Sequence, residues 1–315
     1  MNIDVSVIIP AWNLENSIKR AIDSLLNQKF NRNIEIIAVI SESTDNTRKV
    51  VEDYQKEHKN VVLIDSDKKN PAYNRMLGVK KAKGKYICFL DADDYYHPNY
   101  VQVMFDEIEK GYDIVNCSFY LDRNGKISKN ILTKVKEYDS LSACKGLLNE
   151  FTMRAFLWNK IFRKDLIDDP KVPFMKSKSV CFEDLPIVFY LYMKAKAVKS
   201  IKKPLYYYVN NTNSLTKKES SKRFNEHLCA YAVVRTLCDS SEDIRYRKAF
   251  INRMWRIKAS LWFDGHDSRH VLGHGGLKEL RLNKSTIKML KSKEKLDVDS
   301  LPMKDFIHEC LSPFE

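Results

Sequence analysis

Between residues 5 and 90, four short apolar runs alternate with three stretches of helical periodicity, and few architectures accept that order. VSVIIP (5–10), IEIIAVI (34–40), VVLID (61–65) and YICFL (86–90) read as strands, rich in β-branched and aromatic residues. Ile18, Ala21, Ile22, Leu25 and Leu26 fall on one face of a helix, with Asn13 placed to cap it. STDNTRKVVEDYQ reads as a capped helix with Val50, Val51 and Tyr54 turned inward, and residues 71–83 as a third helix ending at Gly84. Strands separated by helices of this length need right-handed crossovers, which predicts a parallel sheet covered on both faces. Ligands of such sheets bind beyond the carboxyl ends of the strands.

Further on, Pro98 suits the first turn of a helix carrying Val101, Met104, Phe105 and Ile108 and closed by Gly111. Asn124-Gly125 predicts a hairpin within DIVNCSFYLDRNGKI. Residues 126–157 carry no clear period and are expected only to link. WNKIF (158–162) predicts a strand, EDLPIVFYLYMKAKA (183–197) a helix, and VKSI and PLYYYV two short extended pieces. Helical periodicity then runs from about 218 almost to the end. The expected division is an α/β domain over 1–217, with halves 1–125 and 126–217, and a helical region over 218–315.

At the end of the fourth strand run, FLDADD sets Asp91, Asp93 and Asp94 within four positions. Carboxylates so close together repel, and a divalent cation among them relieves that. Mg²⁺ and Mn²⁺ are hard ions that take oxygen ligands, Mg²⁺ commonly one or two carboxylates plus substrate phosphates. In an extended segment Asp91 and Asp93 project to the same side, leaving Asp94 to brace the loop. A solvated acidic turn capping the Pro98 helix is the competing reading.

These pieces occur in a recognisable order. VSVIIPAWN-x-E, then STDNT after the second strand, then Gly-Lys-Tyr-Ile-x-Phe-Leu-Asp-Ala-Asp-Asp, and later W-N-K-I-F, E-D-L and P-L-Y-Y-Y, resemble the inverting family-2 glycosyltransferases over residues 4–216. The resemblance implies a GT-A type α/β fold, Rossmann-like, with a mostly parallel sheet flanked by helices and a C-terminal helical extension. It implies transfer of a sugar from a nucleoside-diphosphate donor, a UDP-sugar first among them, to a saccharide or lipid-linked saccharide hydroxyl. Mn²⁺ or Mg²⁺ would be the cofactor, and bacterial surface-polysaccharide assembly the setting.

Carried over residue by residue, Asp93 would be the principal metal ligand, with Asp91 touching the metal and the donor. Pro10, Ala11, Trp12, Asn13 and Glu15 would line the nucleobase site, with Trp12 stacking on the base. Ser41, Ser43, Arg75 and Ala92 would complete the donor contacts. Asp184 would be the base that takes the acceptor's proton, Glu183 its supporting neighbour and Trp158 an acceptor-site wall. For Trp12 and Trp158 a place in the core is the alternative, and for Glu183-Asp184 a favourable helix N-terminus. Two departures stand out. Ile40-Ser41-Glu42 replaces the usual Asp-Asp-Gly, and Met76 replaces the usual Asn after the arginine.

Composition bears on setting. Seven cysteines with no Cys-x-x-Cys pair suggest free thiols in a reducing compartment. No apolar stretch nears the ~20 residues that cross a bilayer, and MNIDVSVIIPAW lacks signal-peptide features. A cytoplasmic protein is expected, with peripheral contact at the inner face of the plasma membrane as an option. Lysine plus arginine against aspartate plus glutamate is 22 to 22 over residues 1–150 and 32 to 19 over 151–315, so the net +13 lies wholly in the second part. That asymmetry suits an anionic polymer or an anionic membrane, or simply a solvated lysine-rich surface. IRYRKAFINRMWRIKASLWF (244–263), with six basic residues and no acid, would lie on a membrane or pack on the α/β domain. His266, His270 and His274 are spaced four apart, but the glycines among them favour a polar loop over a zinc site. Two other functions remain open. A nucleotidyltransferase also needs sheet, metal and nucleotide, but no Gly-rich basic loop follows the first strand. A basic nucleic-acid-binding protein fits less well, because the surplus charge avoids the half carrying the nucleotide motifs; no nucleic-acid partner is expected.

Overall fold

The computed structural model describes residues 2–130, 136–149, 153–175, 182–210 and 221–265. The chain divides into two compact units, Met1–Lys218 with Lys222–Val234, and Arg235–Glu315 with Glu219–Ser221.

The first unit is built as the alternation requires. Strands β1 (Val5–Ala11), β2 (Ile34–Ser41), β3 (Val61–Ser66) and β4 (Tyr86–Phe89) alternate with helices α1 (Ile18–Leu26), α2 (Thr47–Glu57) and α3 (Pro71–Lys81). The four strands pair in parallel in the order β3-β2-β1-β4. Being covered on both faces, β1 is buried almost throughout, and its alternate residues serve different layers. Val5, Val7 and Ile9 join a cluster with Ile18, Ala21, Ile22 and Leu25 of α1. Ile8 faces the other way and meets α3 at Gly78, where a Cβ would fall 2.4 Å from Ile8 Cγ2. Of the three inward residues expected in α2, Val51 is fully buried and Val50 and Tyr54 half-buried.

Past β4 the sheet continues through β5 (Tyr95–Tyr96), α4 (Tyr100–Ile108) and β6 (Ile114–Arg123). Asn124 and Gly125, with φ of +52° and +84°, turn β6 into β7 (Lys126–Asn130), so the expected hairpin is present with both central residues left-handed. Then come β8 (Lys136–Tyr138), α5 (Ser140–Asn149), β9 (Lys160–Arg163), α6 (Lys164–Ile167), α7 (Asp184–Lys194) and β10 (Val198–Val209). Residues 126–157 are therefore more than a linker, holding two strands and a helix. VKSI and PLYYYV form one strand, β10, whose register against β6 shifts around Pro204. The strand expected at 158 starts at Lys160.

The main path through the ten-stranded sheet is β3-β2-β1-β4-β9-β6-β10-β5, with β7 paired to β6 and β8 to β10, a mostly parallel central sheet within a mixed α/β fold. The reversed strand β9 sits between β4 and β6, antiparallel to both. It thereby welds the later part of the chain into the sheet of the first part.

Helices α8 (Ser221–Asp239) and α9 (Ile244–Gly265) follow, so the periodicity from 218 is helical as far as the described residues reach. The three spaced histidines lie outside them. No helix among the described residues is long and apolar enough to cross a membrane. Cys88, Cys117, Cys144 and Cys238 are buried free thiols.

Near the amino ends of these strands, Ser6 Oγ donates to Glu35 Oε2 at 2.8 Å and accepts the Gly84 N–H at 2.9 Å. A Cβ on Gly84 would lie 2.5 Å from the Ser6 backbone nitrogen, a clash no rotamer relieves. Gly84→Ala should therefore cost about 1–3 kcal/mol by overpacking, read as a lower urea midpoint at unchanged slope.

Candidate active site

The carboxyl ends of β1 and β2 carry two loops stitched side chain to backbone. Trp12 Nε1 donates to the Glu42 carbonyl at 3.1 Å, and the Asn13 N–H to Ser43 Oγ at 3.1 Å. Asn13 Oδ1 accepts the Thr44 N–H at 2.8 Å, while Glu15 Oε2 accepts both the N–H and Nδ2 of Asn46 at 2.8 and 2.9 Å. In return Asp45 Oδ2 accepts the Glu15 N–H at 3.0 Å. Asn13 is thus not the cap of α1, which starts five residues later behind Ser17. Its φ of +52°, which asparagine tolerates better than most residues, turns the chain toward the second loop.

Pro10 and Ala11 end β1 beneath this clasp. Trp12 is 41% exposed, which removes the alternative of a core tryptophan, and Lys69 Nζ lies 5.0 Å from its ring centroid. Ser41 is buried, its hydroxyl donating to the Lys68 carbonyl at 2.9 Å and accepting from Asn74 Nδ2 at 2.8 Å. Its side chain is occupied in tying β2 to the β3–α3 connection.

Residues 91–94 are a turn, closed by the Asp94 N–H on the Asp91 carbonyl at 2.9 Å. The extended segment expected for Asp91 and Asp93 is absent, so strand alternation does not align them. Asp94 braces the turn: it is buried, accepting Tyr206 OH at 2.7 Å and the Val209 N–H at 2.7 Å. Burial, then Asp93 and Asp91, push its pKa well above the ordinary range. Ala92 is buried, Asp93 is half-buried with its carbonyl bonded to Arg20 Nη2, and Asp91 is half-buried.

Arg75 of α3 draws the site together. It is 5% exposed, with Nη2 at 2.9 Å from Asp91 Oδ1, and Nη1 at 2.9 Å from Glu183 Oε1 and 3.5 Å from Asp184 Oδ1. Burial alone would lower the guanidinium pKa, but Asp184, Asp91 and Glu183 outweigh it and raise it. Glu183 and Asp184 enter α7 behind Phe182, whose φ of +64° is strained for an aromatic residue. Burial lifts Asp184 to about 7 against the pull of Arg75, with Glu183 and Asp91 adding to the rise. Burial lifts Glu183 as well. Asp184 Oδ2 also accepts the Leu157 N–H at 3.3 Å.

Trp158 stands apart from this cluster. It is 4% exposed, with ring centroids 4.2 Å from Tyr206 and 4.5 Å from Phe156, so it meets other aromatic rings rather than solvent, which favours the core alternative.

Two contributors escaped the sequence reading. Tyr206 hydroxyl holds both ends of the acidic turn, accepting the Asp91 N–H at 3.3 Å while donating to Asp94. Lys160 is wholly buried behind Asp184. Both lie within the recognised P-L-Y-Y-Y and W-N-K-I-F segments, so the signal was present but unassigned.

Among the described residues no group of three or more histidine, cysteine, aspartate or glutamate side chains is arranged to enclose a metal. What the acidic turn offers is the Asp91 and Asp93 carboxylates, all-oxygen donors. That suits a hard divalent ion completing its shell with substrate phosphate and water, not a closed structural site.

The family model described as glycosyl transferase family 2 matches residues 6–169, spanning both loops, Arg75 and the acidic turn. The chain belongs to glycosyl transferase family 2. It is similar to EpsH and EpsJ of Bacillus subtilis (strain 168), both named as glycosyltransferases. For EpsH the identity is 27% over 78% of this chain and 72% of the relative, and for EpsJ 32% over 71% and 66%. In fold it is similar to Staphylococcus aureus TarS, solved in complex with UDP, at a TM-score of 0.64 and 18% identity over 98% of this chain and 87% of that one.

In this glycosyltransferase, Arg75→Met would leave Asp91, Glu183 and Asp184 around a buried side chain that carries no charge. We expect a loss of about 3–5 kcal/mol. Glu183 and Asp184, whose carboxyl pKa values burial already raises, are best tolerated protonated. The deficit against wild type should therefore shrink as pH falls from about 8 to about 5.5, measured by denaturant unfolding.

Proposed function

We propose that the enzyme transfers one sugar, with inversion, from a nucleoside-diphosphate donor to a saccharide hydroxyl, assisted by a divalent metal. A UDP-sugar is the first candidate, since the TarS structure of like fold is described in complex with UDP. The observation that carries this reading is the meeting of Asp91 with Glu183 and Asp184 on one buried arginine. It sets a donor-binding turn beside acids suited to the acceptor.

Asp184 is the base in this reading. It takes the proton of the acceptor hydroxyl as that oxygen bonds to the anomeric carbon from the face opposite the diphosphate, which leaves with the C–O electron pair. One displacement of this kind inverts the centre. Glu183 and Arg75 hold Asp184 in place. Asp93, with Asp91, would hold Mn²⁺ or Mg²⁺, which would supply positive charge to offset that developing on the diphosphate. Pro10, Ala11, Trp12, Asn13, Glu15, Ser43 and Ala92 line the nucleotide site, with Trp12 free to stack on the base. Ser41 shapes that site from behind, its hydroxyl being occupied.

Residues 1–125 form the donor half, 126–217 the acceptor half, and 218–315 a C-terminal helical region. A bacterial surface polysaccharide or its lipid-linked precursor is the acceptor class. The basic surplus of residues 151–315 supports an anionic acceptor or peripheral contact with an anionic leaflet.

A thermal-shift panel of nucleoside diphosphates should give stabilisation by one of them that requires Mn²⁺; equal shifts with and without the ion would overturn the metal assignment. Asp184→Asn should abolish transfer and keep donor binding. Because a base works only when ionised, the turnover of the wild type should climb as pH rises through about 7, and a rate flat from about pH 5.5 to about 8.5 would contradict it.

A further inference from the structure

Lys160 opens β9 with no solvent exposure, an unusual place for a side chain that normally extends its ammonium to water. All three of its N–H bonds are used: Nζ donates to the Arg154 carbonyl at 2.8 Å, the Phe156 carbonyl at 2.5 Å and Asn159 Oδ1 at 2.9 Å. Asn159 is anchored in turn, its Nδ2 donating to the Cys117 carbonyl of β6 at 2.8 Å. The lysine thus sits on a fixed floor and draws the irregular segment before β9 down onto itself.

The carbonyl of residue 156 and the N–H of residue 157 belong to one trans peptide unit, so they point in opposite directions. Drawing the carbonyl toward Lys160 aims the Leu157 N–H the other way, where it meets Asp184 Oδ2 at 3.3 Å. One peptide plane is therefore gripped between a buried cation and a buried carboxylate. Each polarises the amide in the sense that strengthens the other's bond.

We propose that Lys160 is a positioning residue for Asp184, fixing the carboxylate and keeping it ionisable through the Phe156–Leu157 peptide. This rests on Asp184 being the base. The charges facing Asp184 are Arg75 from α3, Glu183 from its own helix, Asp91 from the acidic turn and Lys160 from β9. Arg75 is shared among three acids, whereas Asp184 is the main charge that opposes the effect of burial on Lys160. Burial brings that lysine down to about 7, with Asp184 pulling the other way.

The test uses the full chain with Mn²⁺ and UDP-GlcNAc as probe, following UDP release to water as acceptor, alongside Lys160→Met and Asp184→Asn. For Lys160→Met we expect kcat at neutral pH to fall about ten- to hundredfold, KM for the donor to stay within about twofold, and the acid limb of kcat to move up by about one pH unit. An unmoved limb would overturn the proposal while leaving the base assignment intact. Normal turnover by Asp184→Asn would overturn the base assignment itself. Should Lys160→Met not fold, ¹⁵N NMR titration of the Lys160 ammonium still decides. Its midpoint should drop when Asp184 becomes Asn, and an unchanged midpoint would overturn the proposal.

Discussion

A guanidinium shut away from water between carboxylates of two distant segments is the interaction on which this architecture turns. Arg75 lies 16 residues from Asp91 and 108 from Glu183, so the contacts pull together parts of the chain that share no local structure. Each acid alone would be costly to bury, and so would the arginine; together they form a charged centre inside a well-packed sheet protein. The position of α3 over β1, set by the close approach of Gly78 to Ile8, aims the arginine there. The left-handed turn at Phe182 delivers the two acids to it.

Much of the scaffold was legible because its signals are local. The strands from Val5 to Phe89 and the helices between them follow apolar periodicity, and the hairpin at Asn124-Gly125 follows from turn chemistry. Residues 126–157 were not legible for a physical reason. The strand β7 is exposed along nearly its whole length and β8 is only three residues long, so neither carries a hydrophobic pattern. The antiparallel insertion of β9 is likewise a long-range choice that no window of sequence records.

The candidate site was legible in its residue types and less so in its wiring. The acids of the turn and of α7 stand out by clustering and by family resemblance, but their common partner does not. Asn13 looked like a helix cap because its residue type suits one; tertiary bonds to Thr44 claim it instead. Lys160 and Tyr206 were hidden by their residue types, since a lysine is read as surface and a tyrosine as packing unless its buried polar atom is traced to partners.

The reversed strand between β4 and β6 has one more consequence, for how far this enzyme is modular. Excising residues 1–125, the proposed donor half, as a free-standing piece would bare a hydrogen-bonding edge on β4 and another on β6, with β10 also gone from the far side of β6. Such edges invite pairing between copies rather than solubility. Swapping the proposed acceptor half for another sequence would therefore have to carry β9 along with its host sheet, or rebuild the seam on both of its sides.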